Sequence, residues 1–169
     1  VGSGALGWSP PKTLTKLFCM PTLSHMLWFD GRAEEATNLY TRIFENSRVL
    51  KTTRRPDGQV FTVEFELMGV KYTALNGGDM FKFTEVFSIM VRCEDQTEVD
   101  TYWNALTQDG GTPGNCGWLK DKFGLSWQVI PKQLDVCLNH PDPVKAAAAM
   151  KAMMGMSKLI VSELEAAVR

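Results

Sequence analysis

One pattern of apolar and polar residues occurs twice in this chain at a fixed offset, and that repeat limits the folds open to it. The first copy starts with an apolar run over residues 23–29, bounded by Pro21 and by the Asp30-Gly31 turn signal. From Arg32 the period becomes helical, with Ala33, Ala36, Tyr40 and Ile43 on one stripe beside Phe44. Glu34 and Glu35 bring negative charge to the first turn, where the helix dipole favours it. Asp30 or Gly31 is placed to cap that end, and Asn46 to end the helix in the left-handed conformation. The second copy opens with an apolar strand over Ser88–Cys93. Glu94-Asp95 then starts a helix, with Glu98 at capping-box spacing and Val99, Trp103 and Leu106 on its stripe; Gly110-Gly111 ends it. Ala36 maps to Val99, Tyr40 to Trp103 and Ile43 to Leu106, each 63 residues apart. The same shift sets His25 on Ser88. Each copy closes on a similar strand, Gly69-Val-Lys-Tyr-Thr-Ala-Leu and Gly124-Leu-Ser-Trp-Gln-Val-Ile. The pattern predicts an α+β fold of two βαβββ units. Two units are too few for a solenoid, so their curved mixed sheets are expected to pair around a cavity.

The remaining segments fit this plan. Residues 48–54 read as a strand ending at the Arg55-Pro56-Asp57-Gly58 turn. Residues 59–67 alternate, with Phe61, Val63, Phe65 and Leu67 on the apolar side, as in a half-buried antiparallel strand. Residues 70–76 form the next strand. Asn76-Gly77-Gly78 then reads as a loop needing positive φ, since it lacks the spacing of a nucleotide fingerprint and no helix follows. Residues 111–117 are loop-rich, residues 125–130 are the last strand, and Pro131 ends the sheet. Beyond it the chain reads as helical. Asp142 caps a helix with Pro143 in its first turn, and a short helix is expected from Ser162 with Glu165 completing a capping box. Met150, Met153, Met154 and Met156 read as core or interface filler. The expected organisation is therefore a two-repeat domain over 20–131 (repeats 20–78 and 84–131) with a helical extension over 132–169. Residues 1–19, rich in Gly, Ser and Pro, read as a leader or expression-derived arm, or else as a native arm that packs Trp8 on a neighbour.

With 169 residues and a formal net charge of −1, the chain fits one domain and lacks the basic balance that nucleic acid would want. No apolar run approaches the ~20 residues of a membrane span. The cysteines Cys19, Cys93, Cys116 and Cys137 show no C-x-x-C, which fits thiols in a reducing compartment; the cytoplasm is the expected location.

Three stretches carry a resemblance. The Trp-Phe-Asp-Gly-Arg-Ala-Glu-Glu-Ala opening, Asn-Gly-Gly followed by Phe-Lys-Phe-Thr-Glu, and Cys-Gly-Trp-Leu-Lys-Asp-Lys-Phe-Gly-Leu-Ser-Trp-Gln are similar to the PhnB-like branch of the vicinal-oxygen-chelate superfamily. The superfamily includes glyoxalase I, bleomycin- and fosfomycin-resistance proteins and extradiol dioxygenases, and the resemblance covers about residues 20–168. Some relatives carry the label 3-demethylubiquinone-9 3-methyltransferase. The sequence has no motif for S-adenosylmethionine, so methyl transfer is not the expected activity.

The resemblance implies a site. Each βαβββ unit of the superfamily supplies two ligands for a divalent metal, which chelates adjacent substrate oxygens as a Lewis acid. The ligand positions fall on His25, Thr73, Ser88 and Gln128. His25 matches in type; Gln128 stands where Glu is usual and is a weaker donor; Thr73 and Ser88 depart from the pattern. One imidazole with an amide and two hydroxyls is a poor set for Zn, Ni or Fe and lacks the carboxylate that Mg prefers. His25 also reads as a hydrogen-bonded histidine at a strand start. Strand alternation then adds Leu27 and Phe29 to His25, Met90 and Arg92 to Ser88, Ser126 and Ile130 to Gln128, and Lys71 and Leu75 to Thr73. Met26, Trp28, Ile89, Val91 and Cys93 are left to face the helices. Arg92 could pair a ligand carboxylate or phosphonate, or form a surface salt bridge. The expected function is a metal-poor protein that binds a small, partly apolar molecule, with no resident cofactor and no membrane partner. The alternative is a metal-dependent lyase, isomerase or dioxygenase holding a divalent metal on His25 and Gln128. Exposed sheet edges, the Met- and Ala-rich tail and the resemblance itself imply a homodimer.

Overall fold

The computed structural model describes residues 22–169; the readings that concern residues 1–19, including Trp8 and Cys19, lie outside them. Within the described residues the elements run β1 (His25–Phe29), α1 (Ala33–Ile43), β2 (Arg48–Arg54), β3 (Val60–Leu67) and β4 (Val70–Asn76). The second unit follows as β5 (Ser88–Cys93), α2 (Gln96–Thr107), β6 (Thr112–Pro113), β7 (Trp118–Lys120) and β8 (Ser126–Pro131). Helices α3 (Lys132–Leu138), α4 (Pro143–Met154) and α5 (Val161–Ala167) complete the chain. Both units build a four-stranded mixed sheet in the same order: β1-β4-β3-β2 in sheet A and β5-β8-β7-β6 in sheet B. In each, the first strand runs parallel to the last and the remaining pairs are antiparallel. The two βαβββ units read from the repeat are thus present.

Each sheet covers one face with its helix. Ala33, Ala36 and Tyr40 of α1 pack on Leu27, Phe29, Val63, Phe65 and Ala74 of sheet A, while Val99, Trp103 and Leu106 of α2 pack on Val91, Leu119, Trp127 and Val129 of sheet B. These faces meet in one continuous core. Its centre is aromatic: Trp127 lies 5.2 Å from Tyr40 and 5.4 Å from Phe44 between ring centroids, and Phe44 stacks on Tyr102 at 5.0 Å. Helices α3 to α5 form a second cluster around Leu134, Ala149, Leu159 and Leu164, joined to sheet B through Ile130.

The helix ends show where local signals sufficed. Asp95 caps α2 by accepting from the Glu98 N–H at 3.0 Å, and Glu98 returns a bond to the Glu94 N–H at 2.8 Å. Asp142 caps α4 with Pro143 in the first turn, as expected. At α1 the cap comes from elsewhere. Neither Asp30 nor Gly31 serves; Arg32 holds the position without a side-chain capping bond, and Asn76 Oδ1, at the end of β4, accepts from the Ala33 N–H at 2.9 Å. At α5 the capping box from Ser162 does not form, because the helix already starts at Val161. Asn46 does adopt the left-handed conformation, at φ 51°. Gly78 has φ +89°, as its loop demands, but Gly77 is needed for space: a Cβ there would lie 2.2 Å from the Trp28 ring.

Candidate functional site

Strand register decides which side chains share a face. His25 pairs with Tyr72, Leu27 with Ala74 and Phe29 with Asn76, so His25, Leu27 and Phe29 lie on the helix-covered side of sheet A. Leu27 and Phe29 are 1% and 3% exposed and belong to the core. Leu27 is closed into the core, and Phe29 reaches only a separate cavity of about 270 Å³ beside Trp28, Phe81, Phe83 and Phe123, away from Ser88 and Gln128, which corrects the expectation of one cavity shared by all of these residues. His25, at the exposed strand start, rests against the same side, 5.1 Å from the Tyr72 ring and 6.1 Å from Phe87. Thr73 and Leu75 pair with Met26 and Trp28 and point to the outer face. His25 and Thr73 therefore sit on opposite sides of one sheet. Met26 and Trp28, expected against the helix, are on the outer face, where Met26 is exposed and Trp28 donates its indole N–H to Gly78 O at 2.8 Å.

In sheet B the strand facings follow the expected alternation, but Ile130, expected in the cavity, is buried under the C-terminal helices. Ile89, Val91 and Cys93 pair with Trp127, Val129 and Pro131 and face α2. Ser88, Met90 and Arg92 pair with Ser126, Gln128 and Ile130 on the outer face, and Trp118 and Lys120 extend that face across Gln128 and Ser126. One end of it is closed: Ile130 packs among the C-terminal helices, and Arg92 forms an ion pair with Asp135 of α3. Arg92 is thereby a surface salt bridge rather than a free anion hook. What stays accessible is a polar pair in apolar company. Gln128 Nε2 donates to Ser88 Oγ at 2.9 Å, beside exposed Met90.

Of the four positions implied for a metal, only Ser88 and Gln128 come together. They offer a hydroxyl and an amide already bonded to each other, while the imidazole of His25 is on another face. Among the described residues no three of His, Cys, Asp and Glu gather in a metal-binding group. The residues present do not fit a transition metal, whose sites need imidazole, carboxylate or thiolate donors.

A residue that sequence reasoning missed holds the two units together. Asp121, buried in the turn between β7 and β8, accepts from Tyr40 Oη at 2.6 Å, Trp127 Nε1 at 2.9 Å, the Phe123 N–H at 2.8 Å and the Leu125 N–H at 3.1 Å. Burial pushes its carboxyl up, while these donors pull it down. Burial, reinforced by the neighbouring carboxylate, holds the Tyr40 hydroxyl well above its ordinary value, so it stays a donor. The local half of this arrangement, an aspartate accepting from the amide two residues on, is a recognisable turn signal. The half that reaches α1 is visible only once the units pack.

A family model described as 3-demethylubiquinone-9 3-methyltransferase matches residues 21–130. The chain belongs to that family. This agrees with the PhnB-like resemblance read from the sequence. The PhnB protein of Bacillus cereus, which carries the same methyltransferase description, is 32% identical, with 66% of this chain and 99% of that one covered and a TM-score of 0.61. Protein PA1353 of Pseudomonas aeruginosa is 16% identical over 66% of this chain and 98% of its own, with a TM-score of 0.55. FosX of Listeria monocytogenes, a fosfomycin resistance protein solved with Mn(II), is 15% identical over 66% and 92%, with a TM-score of 0.50. The last two share the fold. A comparison with curated proteins finds no match.

Proposed function

We propose that this protein binds a small, partly apolar molecule on the outer face of sheet B without a transition metal. The carrying observation is the Ser88–Gln128 hydrogen bond beside exposed Met90, with Trp118 in register across Gln128. A few placed polar groups within an apolar wall are the usual make-up of a small-molecule site. The family relation supports the class, since FosX and the glyoxalase-like proteins share this architecture. Methyl transfer gains no support from the chain itself. The Asn76-Gly77-Gly78 loop closes on Trp28 and on the end of α1 instead of opening a nucleotide-binding helix.

The reading includes a homodimer. Among the described residues both sheets leave their first strand at an edge, and each has an outer face that its own helix does not cover, where Met26 and Met90 are exposed. A second copy laid across these faces would enclose the Ser88–Gln128 pair. Cys93, Cys116 and Cys137 are free thiols, which suits the cytoplasmic location expected for such a protein, and among the described residues no helix is long and apolar enough to cross a membrane.

A nuclear magnetic resonance screen of small apolar molecules tests the reading. Binding should move the Ser88, Met90 and Gln128 signals, and Gln128→Ala should weaken it about tenfold, the worth of one well-placed hydrogen bond. Ligands that shift only sheet A would refute the assignment. Sedimentation at micromolar concentration should give a dimer; a monomer would remove the assembly from the proposal.

A further inference from the structure

Next to the Ser88–Gln128 pair, the outer side of sheet B holds an unmet donor. Ser126 is 1% exposed, and its Oγ has no hydrogen-bond partner among the described residues. Buried hydroxyls are nearly always paired, so one left over marks a place where something else can bond. Ser126 lines a cavity of about 290 Å³ together with Trp118, Lys120, Thr112, Pro113 and Glu85. Lys120 stands opposite Ser126 in the strand register, and its ammonium is held by Glu85 at 2.6 Å. Glu85 comes from the connection between the two units, and its side chain is 65% exposed. Such an exposed pair is weak and easily exchanged. Among the described residues, Lys120 and Glu85 are the only charged ones that line the cavity. Trp118 forms its flat apolar wall, with Gly114 pressed so close that a Cβ there would lie 2.9 Å from Trp118 O.

We propose that this cavity takes a small aromatic or apolar monocarboxylate, whose carboxylate replaces Glu85 on Lys120 and accepts a hydrogen bond from Ser126. The charge count supports one anion, because displacing Glu85 leaves one cation facing the ligand. The flat indole and the size of the cavity suit a single ring. This inference rests on the binding reading above and names its ligand class.

The test compares benzoate with benzyl alcohol, its uncharged counterpart, by calorimetry and nuclear magnetic resonance on the full chain. Benzoate should bind at least about tenfold more tightly, and Lys120→Gln should abolish that preference, as a charge-assisted bond requires. Ser126→Ala should weaken benzoate about tenfold, yet leave the melting temperature unchanged or higher, since it removes an unpaired buried hydroxyl. Glu85→Gln should tighten benzoate about threefold by removing the competitor. Equal binding of both probes at Ser88 and Gln128 would sink the carboxylate class and leave the binding reading standing. Weaker benzoate binding in Glu85→Gln would make Glu85 a ligand contact and overturn the exchange. If neither probe moves sheet B, both ideas fall together.

Discussion

The two βαβββ units are built to one plan but joined differently at their first turn. In the first unit three residues, 30–32, connect β1 to α1; in the second only two, 94–95, connect β5 to α2. The helices therefore repeat at 63 residues, while the first strands repeat at 64. Leu27 corresponds to Val91 and Phe29 to Cys93, all buried, and Met26 corresponds to Met90, both exposed. A one-residue change in a connection leaves a helix stripe intact but turns every side chain of the strand to the opposite face. The helix offset pairs His25 with Ser88, but the strand offset pairs it with Ile89, and that single residue sets His25 on the face opposite to that of Ser88. In the second unit alternation sets Ser88, Met90 and Gln128 on one outer face, while Ile130 on that face is buried by the C-terminal helices. The lesson is that a repeat has to be aligned element by element. A second contrast concerns support. Sheet A carries a long β2–β3 hairpin, whereas sheet B has only the short β6 and β7 and is closed at one end by the C-terminal helices.

The seam between the units rests on Asp121. Asp121→Ala would leave the Tyr40 hydroxyl, the Trp127 indole and two amides without their acceptor, and should cost about 4 kcal/mol or more in denaturant unfolding. A loss under about 1 kcal/mol would mean that the units do not depend on this carboxylate. Tyr40 and Trp103, the equivalent helix residues, are both buried, so Trp103→Ala should cost about 3–5 kcal/mol. Tyr40→Phe should cost only about 2 kcal/mol, the worth of its bond to a buried charge.

The strand offset itself is tested by four alanine variants. Leu27→Ala and Val91→Ala should each lower stability by about 2–4 kcal/mol. Met26→Ala and Met90→Ala, on exposed positions, should stay within about 0.5 kcal/mol. Reversal of the order in either unit would restore the 63-residue alignment of the strands.

The smallest effect is electrostatic and also spans the units. Arg32 first, then Lys122 of the second unit, holds the Glu35 carboxyl at about 2, below its ordinary 4.5. The folded value is the lower one, so the stabilisation is complete above pH 4.5 and is lost as pH falls towards 2. Its side chain is 48% exposed, so Glu35→Gln should flatten the acid limb of the stability curve by under about 1 kcal/mol after screening. An unchanged acid limb would show that solvent already screens the triad.

The sequence alone determined the unit plan, the helix stripes and the buried face of β3. These depend on periodicity, and there the competing faces differ sharply: Val63, Phe65 and Leu67 alternate with Glu64 and Glu66, so only one face can be buried. On β1 that contrast disappears. Met26 and Trp28 are as apolar as Leu27 and Phe29, and hydrophobic burial by itself has no preference between the two facings. Register against β4, where His25 meets Tyr72, makes the choice. The cap that Asn76 lends to α1 and the junction at Asp121 were likewise decided in three dimensions, because their partners lie 43 and 81 residues away. A hydrogen bond over such a separation leaves no period in the chain; it exists only when packing brings donor and acceptor together.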